Sequence, residues 1–347
     1  MVMMSVTSCA RWREAKAVVA EADRLLGEEK RITRDTAALN FAIETLNGPL
    51  GYLFAKQELA KAYYFMGRNF YYLNDLATAA DYYILCDRLN PKYPLYKGRI
   101  NSCMGYLCKQ DSCFEEACKF YERSSRAFKE AGNDWYYAHN LLNIAEQYVN
   151  LREYNKADSI LQIANNYDID STYHAMLIET RGLYFFALQQ YDSALTYFLR
   201  IENFPRPIEA RCYSYMKIMQ IYIRQNNYDV ANKYACFIIE HSTVPNYKTN
   251  AYYTLLRIKD RSKDPEYLAD LSYLRKDEDI KIRYESEAYA QATIKLKAYL
   301  DNPHPYLLIN WCIFGGMVAV LLLCIIVYIL HKHKQCAAHR TARWTMQ

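Results

Sequence analysis

Residues 63–91 read YYFMGRNFYYLNDLATAADYYILCDRLNP. In the first half, Tyr63, Met66, Gly67 and Phe70 give two large residues, a small one and an aromatic. In the second half, Ala79, Tyr83, Cys86 and Pro91 give small, aromatic, small and a proline. The alanine comes back through the chain as Ala79, Ala117, Ala157, Ala194, Ala231 and Ala269, at steps of 38, 40, 37, 37 and 38 in the numbering. Gly67, Gly105, Ala145 and Gly182 each stand at one fixed offset, twelve positions before their alanine. Phe114, Tyr154, Tyr191 and Tyr228 each stand three positions before theirs, and Leu76 takes that place before Ala79. A helix–turn–helix unit cannot bury its apolar face alone, so units at a fixed period stack on one another. Two helices approach closely only where small residues sit at their crossing. The recurring glycines and alanines are therefore expected at the crossings, with the aromatics filling the grooves between neighbouring pairs.

The pattern resembles the tetratricopeptide repeat, a helix–turn–helix unit of 34 residues. All eight positions of residues 63–91 hold a residue of the right size, with Cys86 where that repeat usually has alanine. The units here are slightly longer, which lengthens helices or loops. The resemblance covers about residues 52–275 and implies an all-α superhelical solenoid of helix hairpins. In that family the first helices of the pairs line a concave groove that takes peptides or partner segments. With repeats starting at Ala60, Gly98, Ala138, Ala175 and Cys212, the groove positions carry Lys61, Tyr64, Arg68, Arg99, Tyr106, Lys109, His139, Glu146, Glu179, Phe186, Tyr213 and Arg224. The N-terminal end of this set is basic and rich in tyrosine, which suits an acidic or aromatic segment of a protein partner. Members that bind chaperone tails carry a lysine–asparagine clamp where this chain has Tyr64 and Arg68, so it departs from them.

Outside the repeats the chain divides by composition. Residues 1–9 end in Val6-Thr7-Ser8-Cys9, which resembles the close of a bacterial lipoprotein signal with Cys9 as the lipidated residue. A signal peptide has a charged start and an apolar run of about 7–15 residues. Neither is present, so either the reading frame opens earlier or Cys9 is an ordinary cysteine. Within residues 10–50, Trp12, Ala15, Val19, Ala22 and Leu26 form a helical stripe. A second helix is expected from Asp35 to Gly48-Pro49, and the two would cap the solenoid at 51–275. Its sixth unit keeps Tyr253, Leu256, Ala269 and Tyr273 but has Arg257 in place of the small residue. In segment 276–305, one charged helix is expected to continue through Ala288, Ala290, Ile294 and Leu300 towards a membrane until Asn302-Pro303-His304-Pro305 breaks it.

Residues 306–330 contain no charge. At about 1.5 Å per residue they would span roughly 37 Å as a helix, enough to cross a bilayer core of about 30 Å with tilt. Tyr306 and Trp311 at one end and Tyr328 at the other suit the interfaces. Gly315 and Ala319 form a small-xxx-small pair through which two spans could meet as a homodimer. The tail, 331–347, carries Lys332, Lys334, Arg340 and Arg343 and no acid. Of the net charge of +5, four units sit in this tail, leaving +1 for the rest. Such a surface is not that of a nucleic-acid-binding protein.

The chain has no GxGxxG, Walker, HExxH or GxSxG motif, and its carboxylate pairs lie on expected exposed faces. No enzyme and no cofactor is expected. Of 11 cysteines, Cys103, Cys108, Cys113 and Cys118 recur at every fifth position, a step of about 500° on a helix, so successive ones do not share a face. Without a CxxC no zinc site is expected and they are read as packing residues, with a disulfide inside the cluster as the alternative.

The order of features is similar to envelope repeat proteins of Gram-negative anaerobes, whose extracytoplasmic repeats join a cytoplasmic part through one span. That likeness implies a membrane-anchored scaffold or sensor with periplasmic repeats and a cytoplasmic tail. Its members commonly carry a DNA-binding part after the span, whereas here Leu330 is followed by the short basic tail. The rival reading is a tail-anchored adaptor or co-chaperone with cytosolic repeats.

Overall fold

Each helix pair turns on one residue in the left-handed region. Asn74, Ser112, Arg152, Gln189 and Asn226 have φ of 62°, 58°, 61°, 61° and 59°, and each lies five positions before one of the recurring alanines. The next amide reaches back over that residue. Asp75 N–H donates to the Phe70 carbonyl at 3.0 Å, Cys113 to Cys108 at 2.9 Å and Glu153 to Tyr148 at 2.8 Å. Gln190 donates to Phe185 at 3.0 Å and Asn227 to Tyr222 at 2.8 Å. This closure occupies carbonyls that the helix end leaves open. The second helix then starts at once, with the Asp75 carboxylate accepting from the Thr78 amide at 3.1 Å. The repeat is thus written in the backbone as well as in side chains.

The computed structural model describes residues 6–27, 36–47, 54–89, 92–259 and 265–302. Pro91, the apolar stretch 306–330 and the basic tail lie outside them. Among the described residues all regular structure is helical. Two helices, α1 (Val6–Gly27) and α2 (Ala37–Leu46), precede the repeats. The pairs follow: α3 (Lys56–Tyr72) with α4 (Leu76–Arg88), α5 (Pro94–Gln110) with α6 (Phe114–Glu130), and α7 (Asp134–Asn150) with α8 (Tyr154–Ala164). After them come α9 (Ser171–Ala187) with α10 (Tyr191–Arg200), then α11 (Ile208–Arg224) with α12 (Tyr228–His241). Last are α13 (Pro245–Lys259) and a single long helix, α14 (Pro265–Asp301). The fold is an all-α solenoid of helix hairpins of the tetratricopeptide type.

Inside three of the pairs the small residue faces an aromatic. A Cβ on Gly67 would lie 2.6 Å from the Tyr83 ring, one on Gly105 3.0 Å from Tyr121, and one on Gly182 2.7 Å from Phe198. All three rings stand four positions after the recurring alanine and are buried. These aromatics therefore fill the crossing within a pair, not the groove between pairs. The aromatics three before the alanine are only half-buried, at the first residue of their helices. Ala145 and Leu161 occupy the equivalent places in the third pair and share one apolar cluster. In the fifth pair the sizes are exchanged: Met219 on α11 and Ala235 on α12 share a cluster, both buried. The summed volume at the crossing is what repeats, as close packing requires.

A second periodic contact joins the start of the first helix to the end of the second. Cys86 Sγ donates to the Ala60 carbonyl at 2.9 Å, and Ser124 Oγ donates to the Gly98 carbonyl at 2.8 Å. This explains why Cys86 is tolerated where alanine is usual. Cys103, Cys108, Cys113 and Cys118 are all free thiols.

The sixth unit departs from its expected form. Ala269 is exposed, and Leu271 is buried in its place. Helix α14 runs without a break through residue 275 to Asp301. Its last turns pack back on the first repeats: Ala292, Leu296 and Tyr299 join the cluster of Tyr64, Phe65, Tyr83 and Met104. Among the described residues no helix is long and apolar enough to cross a membrane. Cys9 is an exposed position on α1.

Candidate binding groove

The first helices of the N-terminal pairs bring one face each to a shared cavity, at helical spacing. On α3 that face carries Tyr64, Arg68, Tyr71 and Tyr72, on α5 Arg99, Ser102, Cys103 and Tyr106, and on α7 Tyr136 and His139. These side chains, with Tyr83 and Phe128 from the second helices behind them, enclose a cavity of about 500 Å³. Five of the twelve groove residues expected from the sequence stand around it: Tyr64, Arg68, Arg99, Tyr106 and His139.

The electrostatics of the cavity are one-sided. No carboxylate lines it. Arg68 lies over the rings of Tyr64 and Tyr72, at 5.9 and 5.6 Å, and donates to the Tyr72 hydroxyl at 2.8 Å. Arg99 lies 5.9 Å over Tyr96. Among the described residues neither guanidinium has an ion-pair partner. His139 stacks on Trp135 with centroids 5.3 Å apart. Burial, aided by the charge of Lys109, lowers its pKa to about 4, so it is neutral at physiological pH. Burial also pushes the Tyr64 and Tyr71 hydroxyls well above the usual tyrosine range, which keeps them as donors. The cavity thus offers two cations, several hydroxyl donors and aromatic faces. It can hold an anionic group beside a flat apolar one.

The rest of the expected groove set is arranged differently. Lys109 pairs with Glu146 at 2.6 Å across α5 and α7. Glu179 on α9 is gripped by Arg206, with Nη2 at 2.7 Å and Nη1 at 3.0 Å, and accepts from Ser214 Oγ at 2.6 Å. That pair is nearly sealed from solvent, with side chains 8% and 14% exposed. Phe186 and Tyr213 frame Lys217, whose ammonium lies 5.3 and 5.5 Å from their rings. Burial lowers the Lys217 pKa, and Glu146 and Glu179 oppose that. Lys61 is turned away from the cavity onto Asp23 of α1 at 2.5 Å, and Arg224 is exposed at the rim over Tyr191.

Lys217, Tyr71, Tyr72 and Tyr136 belong to the groove without having been singled out from the sequence. Lys217 lies one helical turn after Tyr213, so the same face rule points to it. Cys103, read as a packing residue, lines the cavity. Among the described residues no group of His, Cys, Asp and Glu could hold a metal ion.

No family model matches this chain, and no curated protein matches it. Solved structures do. A chain in the crystal structure of the APC/C hetero-tetramer Cut9–Hcn1 is similar at 16% identity and a TM-score of 0.49, over 84% of this chain and 54% of that one. BtubC from P. vanneervenii is similar at 14% identity and a TM-score of 0.28, over 87% of this chain and 95% of that one. The chain spans about half the length of the first. The fold assignment stands on the repeat geometry above.

Proposed function

We propose that this chain is a protein-interaction scaffold whose N-terminal groove takes an acidic, tyrosine-containing segment of a partner protein. The observation that carries this reading is the pair Arg68 and Arg99, neither with an ion-pair partner among the described residues, in an aromatic cavity of about 500 Å³. A guanidinium held flat against rings is well placed to accept a carboxylate while a partner ring stacks alongside. Fluorescence anisotropy with labelled poly(Glu,Tyr) copolymer tests it, with poly(Lys,Tyr) as the control. The acidic copolymer should bind and the basic one should not. The double change Arg68→Glu and Arg99→Glu should weaken binding at least tenfold. Equal binding by the charge-reversed protein would remove the reading.

The scaffold is also proposed to be membrane-tethered through 306–330, with the repeats on the periplasmic side. The support is the absence of charge over that whole stretch and the balance of flanking basic residues, four in the tail against Lys295 and Lys297 before it. An impermeant thiol reagent on spheroplasts separates the orientations. The exposed Cys236 should label and Cys336 should not; the reverse pattern favours the cytosolic adaptor.

A further inference from the structure

The cavity and the end of the long helix α14 share two side chains. Tyr71 and Tyr106 wall the cavity, edge to face with centroids 6.1 Å apart. On α14, Tyr289 packs against the same apolar cluster as Tyr71, with its hydroxyl within reach of the Tyr71 and Tyr106 hydroxyls. Just beyond Tyr289, α14 is seated on the first two repeats. Ala292 and Leu296 are fully buried and Tyr299 nearly so.

Polar contacts fix that seat. Lys295 Nζ donates to Asp81 Oδ2 at 2.5 Å and to the Ala77 carbonyl at 3.0 Å. The Tyr299 hydroxyl donates to Asp87 Oδ2 at 2.5 Å, and Asp87 Oδ1 also accepts from Asn101 of α5 at 3.2 Å. Arg88 lies 5.7 Å over the Tyr299 ring. Lys297 lies 4.0 Å from Glu116 and contacts the Cys113 thiol. The two ion pairs among these anchors, Lys295–Asp81 and Lys297–Glu116, sit at partly exposed positions, where such pairs are individually weak and sensitive to salt. The opposite face of α14 is open to solvent, with Ile280, Tyr284 and Ile294 all largely exposed. A helix held on one face by a few separable contacts can leave its seat without unfolding the repeats beneath it.

We propose that the last turns of α14 are a strap that holds the Tyr71–Tyr106 wall closed over the cavity. Release of the strap opens the cavity, and a ligand that displaces the wall weakens the strap. The two effects are one coupling seen from either end and must be equal in size. The ligand half rests on the binding reading above; the opening of the wall does not.

Cys103 lines the cavity and reports its opening without any ligand. The full-length protein is treated with iodoacetamide, and each cysteine is followed by peptide mass spectrometry. Exposed Cys236 gives the upper limit of the rate, and buried Cys86 and Cys212 report general loosening. The variant Lys295→Glu with Tyr299→Phe removes two anchors without touching the cavity lining. Cys103 should then label at least fivefold faster, with Cys86 and Cys212 unchanged. The single change Tyr289→Phe, which removes only the hydroxyl contact, should give a smaller rise in the same direction. An unchanged Cys103 rate in the double variant overturns the strap, and so does a rise shared by Cys86 and Cys212. In the same proteins poly(Glu,Tyr) should bind the double variant more tightly than the parent. If Cys103 responds but the copolymer binds neither protein, the strap stands and the acidic-segment reading falls.

Discussion

The α3–α7 and α9–α11 parts of the groove are built from the same kind of helix pair and both carry charged side chains, yet Arg68 and Arg99 in the first and Glu179 in the second end in opposite states. In the α9–α11 part the Glu179 carboxylate is neutralised from within. Arg206, in the connection leading into α11, closes on Glu179 with two hydrogen bonds, and Ser214 adds a third. In the α3–α7 part, Arg68 is met by rings and a hydroxyl, and Arg99 lies over a ring with the charge of Asp23 on α1 within reach. The difference teaches that the repeat decides where a groove side chain stands, while the connections decide whether it is left for a partner. Glu179 is satisfied by the fold, whereas Arg68 and Arg99 have no ion-pair partner among the described residues.

The sharpest way to break this contrast is at Glu179. Glu179→Ala leaves the Arg206 guanidinium buried without its counter-charge, a change expected to cost about 3–5 kcal/mol. The matching change in the other half, Arg68→Ala, strands no buried charge and should cost far less. Urea denaturation of the two variants gives the comparison directly. Similar losses would mean that Arg68 is as structural as Glu179.

A smaller effect is expected at the crossings common to both halves. Gly182→Leu drives a side chain into Phe198, which already lies where a Cβ would be 2.7 Å away. The overpacking should cost about 1–3 kcal/mol. Phe198→Ala in the same chain should recover part of that, because it recreates the large–small order that Met219 and Ala235 show naturally. A double-mutant cycle measures the recovery. Strict additivity would show that the volumes of the two positions are not coupled.

The smallest expected effect concerns His139 in the cavity. Its folded-state pKa, about 4, lies below the ordinary value near 6.5. Between those values the unfolded chain binds a proton that the folded chain does not, so this group's contribution is full above about pH 6.5 and falls as the pH drops towards 4. With the side chain partly accessible, the loss across that window should be about 1–2 kcal/mol. His139→Phe keeps the stack on Trp135 and should flatten stability by that amount between pH 7 and 4.5. An unaltered pH profile would place His139 in contact with water.

Much of the architecture was legible because it is local and periodic. The alanine spacing, the small residues at a fixed offset before it and the helix pairs all follow from side chains that recur at a fixed step. The role of the aromatics was misread for a physical reason. Spacing tells which residues share a face, but not whether a ring at that face meets its own pair or the next. The end of the sixth unit was also hidden, because Ala269 carries the right residue at the right step in a helix that faces it to water.

The chain's own order of residues therefore determined the helix-hairpin solenoid and the basic, tyrosine-rich character of its first groove positions. Both depend on contacts within one turn or one unit. Tertiary structure alone decided that Lys61 would be taken by Asp23, that Glu179 would be closed by Arg206, and that α14 would return to set Tyr289 beside Tyr71 and Tyr106. Those contacts join residues from different units, and for α14 from opposite ends of the solenoid. No period relates such partners, so only the packing of one unit against another brings them within reach.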